Sequence, residues 1–415
     1  MDYARINQHA QKYETQMVDF LRQMVAIPSE SCEEGAVIDR IRQELETVGG
    51  YDRIRVDGLG NLIAELGSGP RIIAIDAHVD TVGVGDRDEW AHDPYTGKVE
   101  DGIVYGRGAG DQEGAIPSMV YAGRILRDLQ LLPQECTLVC TFTVMEEDCD
   151  GLCWQYLVQE EGLRPEVVVV TDSTNMNVLR GQRGRMEIGV EIKGRSCHGS
   201  MPHKGDNAVY KMARLVSEIE RLNAQLPDQP FLGKGTMAVS HIDCRTPSMC
   251  AVPDMARIHV DRRLSTGDTK ESALEEIRQA AKRVGVPDAR VWLKQYERPS
   301  YTGTVYPTEC YFPTWLYDAD TPHVQAAAEA YRRLFNREPT VDCWTFSTNA
   351  VSIAGLYGIP SVGFGPAEEA VAHTVNDRVP IEHLIQCAAY YAAFPGIYCE
   401  TVPTALSAQT AEASA

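Results

Sequence analysis

The chain has 415 residues, 44% of them hydrophobic and 24% charged, a globular composition too long for one ordinary domain; two compact units are expected. The formal net charge of −20, from 39 basic and 59 acidic residues, repels a phosphate backbone and argues against nucleic acid as a partner. No apolar stretch approaches the length that crosses a bilayer, and the opening MDYARINQHAQKYETQM lacks the basic-then-apolar build of an export signal, so a cytoplasmic location without membrane attachment is expected.

The first periodic segment places Met17, Phe20, Leu21, Met24 and Val25 at the spacing of an amphipathic helix, with Pro28 beyond its end. A second helix is predicted from Gly35 to Val48, stopped by Gly49 and Gly50. Four short β-branched runs follow at intervals: Ile72 to Ala77, Thr137 to Val144, Glu166 to Thr171 and Pro360 to Gly365. Continuous apolar runs bounded by turn residues suit strands buried on both faces, so the expected class is α/β with a mainly parallel central sheet flanked by helices.

A different pattern interrupts this alternation over residues 183–293. A strand at Met186 to Gly194 precedes a helix with the stripe Met212, Leu215, Val216, Ile219 and Leu222. Strands at Thr236 to Ile242 and Ala256 to Arg263 follow. Asp268 and Glu271 have the spacing of a capping box for a helix carrying Leu274, Ile277, Ala281 and Val284, and Val291 to Glu297 closes the segment. This is an inserted, smaller α+β unit, with 1–182 and 294–400 forming the two parts of the larger one. The tail 401–415 is rich in Ala, Ser and Thr and is expected to be disordered.

Twelve cysteines lie within apolar strands, helices and beside polar clusters; a chain of this size needs no disulfide staples, and reduced thiols are expected. Cys149 and Cys153 have no second pair with which to form a zinc knuckle.

Potential metal ligands cluster at the ends of the apolar runs. The run to Ala77 leads into His78 and Asp80, the run to Val144 into Glu146 and Glu147, and the run to Thr171 into Asp172. The last run precedes a loop with His373, and Asp111 lies in the glycine-rich turn GRGAGDQEG before a helix. In an open α/β sheet the site lies beyond the carboxyl ends of the strands, so one geometry gathers these groups. Singly, a strand-end histidine is usually structural and an adjacent Glu pair usually solvated. Together, carboxylates at the end of a buried strand call for a neutralising cation. A phosphate cradle at GRGAGDQEG is disfavoured by its spacing and by Asp111 and Glu113. No G-x-S-x-G elbow is present, which excludes a serine hydrolase of that type.

DAHVDTV (76–82), WAHDPYTGKVEDGIVYGRGAGDQEGA (90–115), TVMEED (143–148), TDSTN (171–175) and GPAEEAVAHTVNDRVPIEHL (365–384) resemble, in order and across nearly the whole chain, signatures of one family. It is the co-catalytic dinuclear zinc hydrolases: aminoacylases, acetylornithine deacetylases, succinyl-diaminopimelate desuccinylases, glutamate carboxypeptidases and cytosolic dipeptidases. The DQEG turn looks closest to a bacterial branch of selenium-metabolism-linked hydrolases, a name that defines no reaction.

The resemblance implies a catalytic domain carrying two divalent ions, zinc first and manganese or cobalt as alternatives. His78 and Asp172 then bind one ion, Glu147 and His373 the other, and Asp111 bridges both. Asp80 holds the His78 imidazole from behind. Glu146 is left free as general base, taking a proton from the attacking water and passing it to the leaving nitrogen. The inserted unit corresponds to a lid and dimerisation domain, with His198 in GRSCHGSMPHKGDNA reaching the site of a partner subunit in a homodimer. Arg263, in VDRRLS, matches an arginine that grips a substrate carboxylate, and Asn349 falls in a loop near that carboxylate. The implied activity is hydrolysis of an amide in a small polar substrate, as in dipeptidases and N-acyl-amino-acid deacylases, with an N-carbamoyl amino acid as the alternative. A non-catalytic binding protein on the same fold is the contrasting class, and the complete ligand set with Glu146 speaks against it. Asp172, where deacylases of the family usually carry Glu, weakens a simple N-acetyl deacylase reading.

Overall fold

Strands built from the β-branched runs assemble a nine-stranded sheet among residues 1–402, the part of the chain that the computed structural model describes. At its centre Cys136–Thr143, Arg71–His78, Val167–Val170 and Ser361–Gly363 run parallel, in that spatial order. Antiparallel strands flank this group, Leu62–Gly67 and Arg53–Val56 on one side and Val178–Gln182 with Trp315–Leu316 on the other. The four central strands are buried on both faces, which is why their sequences read as unbroken apolar runs rather than as alternation.

Helices cover the sheet. Ile381–Thr401 is buried at Leu384 and without interruption from Cys387 to Tyr398, and packs against Ala115–Leu129 and Pro322–Phe335. Glu14–Val25 buries the stripe Met17, Phe20, Leu21, Met24 and Val25. It is preceded by Tyr3–Lys12, a helix the sequence pattern does not announce because it buries only Ile6 and Ala10. Gly35–Val48 stops at Gly49, whose φ of 66° lies in the left-handed region where a side chain is strained. No described helix is long and apolar enough to cross a membrane.

A second sheet lies within 184–312. Its order is Thr236–Arg245, Met255–Leu264, Gly184–Lys193 and Arg290–Leu293, all antiparallel. Helices Ala208–Gln225 and Lys270–Arg283 pack on it around a separate apolar cluster that includes Met186, Ile188, Leu215, Val260 and Ile277. Two sequence expectations are corrected here. The capping box is Thr269 with Ser272, not Asp268 with Glu271; Asp268 instead accepts from the Ser265 N–H and from Arg262. The small sheet also takes Tyr311–Phe312, beyond residue 293, a two-residue strand too short to show any period. The tail expected to be disordered lies, from 403 onward, outside the described residues.

Candidate metal centre and active site

The central strands end level. His78 is in register with Thr143, and Asp76 with Val170, which in turn pairs with Gly363. Whatever follows these residues is therefore delivered to one edge. His78 is the last residue of its strand; Glu146 and Glu147 follow Thr143 through a tight turn in which Met145 has a φ of 63°. Asp172 follows Val170, and the loop after Gly363 brings in His373, itself at a φ of 58°. Non-glycine residues in this region are uncommon and tend to mark functional turns.

Asp111 stands between the two histidines. Its Oδ1 is 3.2 Å from His78 Nε2 and its Oδ2 is 3.2 Å from His373 Nε2. His373 Nε2 also lies 3.0 Å from Glu147 Oε2, and His78 Nε2 lies 3.8 Å from Asp172 Oδ1. Ligand atoms of His78, Asp111 and Glu147 fall within 4.8 Å of one another, compact enough to hold a metal ion. Glu146, 5% exposed, has an Oε1 with no hydrogen-bond partner.

The electrostatics fit a cation. Burial drives Asp172 up to about 8, and burial with the Asp111 charge takes Glu147 to about 7. Burial also raises Glu146 well above the carboxylate range. Asp111 goes the other way: against desolvation, hydrogen bonds from His373 and His78 hold it well below the usual range. Hydrogen bonds to Asp111 and Glu147 push His373 up to about 10. Four converging carboxylates thus share two imidazoles, an excess of negative charge that divalent cations would neutralise, and the nitrogen and oxygen donors suit zinc, manganese or cobalt.

Asp80 supports this edge differently from expectation. Its backbone carbonyl, not its carboxylate, takes His78 Nδ1 at 2.8 Å; the carboxylate Oδ1 is 3.5 Å away. The carboxylate instead accepts the N–H groups of Glu146 at 3.1 Å and Glu147 at 3.0 Å, and the Ser31 hydroxyl at 2.6 Å. Asn349 is also corrected. It is 1% exposed, donates to Asp76 Oδ2 and Thr143 Oγ1, and accepts from Gly151 N and Cys153 Sγ. With its amide saturated behind the site, it has no donor left for a substrate; Ser347, two residues earlier, lines the cavity instead.

That cavity, about 330 Å³, is lined by the candidate ligands and Glu146 and also by Arg185, Arg263, Asp150 and Ser347. Arg263 is ion-paired with Asp261 at 2.8 Å. His198 is exposed, does not line this cavity, and has its Nδ1 2.7 Å from the Ser200 hydroxyl.

Sequence reasoning missed Asp377. Fully buried, it accepts Gly110 N at 2.7 Å, Gly108 N at 2.8 Å and the Arg107 guanidinium at 3.1 Å. It therefore ties the turn bearing Asp111 to the loop bearing His373. Glu34 was missed as well: its Oε1 accepts Met145 N at 3.0 Å, next to the Asp80 clamp. Their carboxylates sit in NDRVP and SCEEG, stretches that read as ordinary polar loops.

Strand-end imidazoles and carboxylates, with one buried acid left free beside them, define a metallohydrolase. The model of the peptidase family M20/M25/M40 matches residues 74–395, and the chain belongs to that family. It is 52% identical over 390 residues to the uncharacterized protein YgeY of Escherichia coli K12, covering 94% of this chain and 96% of that one. It is 30% identical over 276 residues to a succinyl-diaminopimelate desuccinylase of Cereibacter sphaeroides, covering 63% and 71% of the two chains. In fold it is similar to Bacillus subtilis YXEP, described as a dinuclear metal-binding peptidase, with a TM-score of 0.69, 17% identity, and coverage of 94% of this chain and 100% of that one.

Proposed function

We propose that the chain cleaves an amide bond in a small polar substrate, with Glu146 as general base. The observation that carries this reading is the Glu146 carboxylate, buried and unpartnered beside a cluster of metal-ligand atoms. His78 and Asp172 are assigned to one divalent ion, Glu147 and His373 to the other, and Asp111, whose two oxygens face the two histidines, to both. Zinc is the first choice for this donor set. Bound ions supply Lewis-acid activation of water and of the scissile carbonyl. Glu146 removes the proton from the attacking water, holds it in the desolvated pocket, and returns it to the leaving nitrogen. The 52% identical relative has no assigned reaction, and the desuccinylase acts as a plainly named amide hydrolase, so relatives support the reaction type rather than a substrate.

Residues 183–293 fit a lid and dimerisation domain. The edge strand Thr236–Arg245 leaves Ile242 56% exposed, and Tyr210 on the covering helix is 67% exposed, an apolar surface suited to a second copy of this chain. His198 accepts the Ser200 N–H at Nδ1, which leaves Nε2 as the proton-bearing nitrogen pointing away from that turn. It is the group we assign to reach the partner's site and stabilise the oxyanion. The free thiols fit a reducing, cytoplasmic setting.

The test is mass-spectrometric product detection after metal-loaded protein meets dipeptides, N-acyl and N-carbamoyl amino acids, with Glu146→Gln as the blank. Cleavage in one class, absent from the blank, establishes the reaction. Activity retained by Glu146→Gln removes it as the base.

A further inference from the structure

The cavity wall facing Glu146 has a charge arrangement that its metal chemistry does not use. Arg185 and Arg263 are direct cross-strand partners on Gly184–Lys193 and Met255–Leu264, and both line the cavity. Like charges placed opposite each other on a sheet repel, so this pairing costs stability unless anions meet it. Arg263 is answered by Asp261, outside the cavity lining, through two contacts at 2.8 and 3.2 Å. Arg185 is answered by Asp150, which itself lines the cavity: Arg185 Nη2 donates to Asp150 Oδ1 at 3.0 Å. Glu187 is a looser partner at 3.7 Å, and the buried Arg185 Nε donates to nothing. The guanidinium also lies 4.7 Å from the Phe312 ring centroid, within cation–π range. Asp150 Oδ2 accepts from the Ser347 hydroxyl.

We propose that Arg185 and Asp150 form a zwitterion anchor that selects substrates bearing an amino-acid head, with a free carboxylate beside a free ammonium. Both residues of the resting pair line a cavity of about 330 Å³, room for a small ligand only. On binding, the ion pair exchanges partners: the Nη groups of Arg185, with the neighbouring Arg263, take the carboxylate, and Asp150, oriented by Ser347, takes the ammonium. Each buried charge keeps an opposite charge throughout, so no uncompensated ion is left in the wall. A head group held there places the remainder of the ligand toward Glu146. A simple structural tether between a strand and a turn gives no reason for both partners to line the cavity.

This inference rests on the hydrolase reading, and the experiment separates the two. Metal-loaded Glu146→Gln protein, in which neither amide is turned over, is titrated calorimetrically with L-alanine, L-alaninamide (no carboxylate) and N-acetyl-L-alanine (no ammonium), with bound metal counted in parallel; the variants below are made in this background. L-Alanine is expected to bind more tightly than either one-ended analogue. Arg185→Gln is expected to weaken L-alanine and N-acetyl-L-alanine by roughly ten- to a hundredfold, the worth of a charge-assisted hydrogen-bonded contact, while leaving L-alaninamide unchanged. Asp150→Asn is expected to weaken L-alanine and L-alaninamide and to leave N-acetyl-L-alanine unchanged. Arg185→Lys, which keeps the charge without the planar fork, gives an intermediate loss on the carboxylate ligands and carries the test if the Gln variant does not fold. The anchor is overturned if the protein with Arg185 and Asp150 intact shows no preference for L-alanine, or if each variant weakens all three ligands alike. Two bound ions with no zwitterion preference leave the hydrolase reading standing without the anchor; absence of bound metal sinks the hydrolase reading whatever the ligands do.

Discussion

Asp80 holds Glu147 by its backbone, with the Asp80 Oδ2 atom 3.0 Å from the Glu147 N–H, while Oδ1 takes the N–H of Glu146 at 3.1 Å. One carboxylate thereby sets the direction of both glutamates, one a proposed ligand and the other the proposed base. Its backbone carbonyl orients His78 at the same time. Replacing Asp80 by Ala is expected to lower metal affinity roughly ten- to a hundredfold, as for other outer partners of metal ligands. Competition with a graded chelator measures this; unchanged affinity removes the clamp from the site's design.

His373 comes from a loop and sits exposed at the mouth of the cluster, 3.0 Å from Glu147 Oε2. His373→Ala is expected to release one of the two ions while His78, Asp111 and Asp172 retain the other. Elemental analysis of dialysed protein gives the stoichiometry, and a full complement of both ions would strike His373 from the ligand set.

Asp377 and Arg107 form an ion pair in which both side chains are almost wholly buried. Removing one partner strands the other charge, so Asp377→Ala is expected to lose about 3–5 kcal/mol of stability. Urea unfolding in the presence of chelator keeps metal linkage out of the comparison. A loss under about 1 kcal/mol would show that water already relieves the Arg107 charge.

His323 gives a pH dependence remote from the metal ligands. It packs edge-on against Tyr317, its Nε2 has no partner, and burial lowers it from 6.5 to about 4. Its place in the first turn of Pro322–Phe335 disfavours a positive charge further. Above pH 6.5 both the folded and the unfolded states hold it neutral, and pH has no effect through this group. As pH falls from 6.5 to about 4 only the unfolded chain takes up the proton, so stability is lost, up to about 3 kcal/mol at 1.36 kcal/mol per pH unit. His323→Phe is therefore expected to gain on the native chain across that window and to run parallel to it above. Parallel curves throughout would mean that His323 protonates freely in the fold.

The proposed ligands and base were legible in the sequence because parallel strands buried on both faces leave continuous apolar runs, and because groups just past their carboxyl ends share one edge. That argument gathered His78, Glu146, Glu147, Asp172 and His373, with Asp111 from the glycine-rich turn, without any knowledge of contacts. The family resemblance then assigned a role to each. It went too far with Asn349, because proximity along the chain to a site loop does not say which way an amide faces. Only packing shows that Asn349 is consumed by Asp76 and Thr143, 273 and 206 residues away.

By itself the sequence determined the α/β class and the edge at which the candidate donors gather, since these follow from local periodicity and residue type. The tertiary structure decided what holds that edge in place. Asp377 reaches Gly110 across 267 residues, Glu34 reaches Met145 across 111, and Arg185 meets Asp150 from a different sheet. Such contacts leave no period or motif in the chain, because a carboxylate reads the same whether it is solvated in a loop or folded onto a distant amide; burial and distance alone distinguish them.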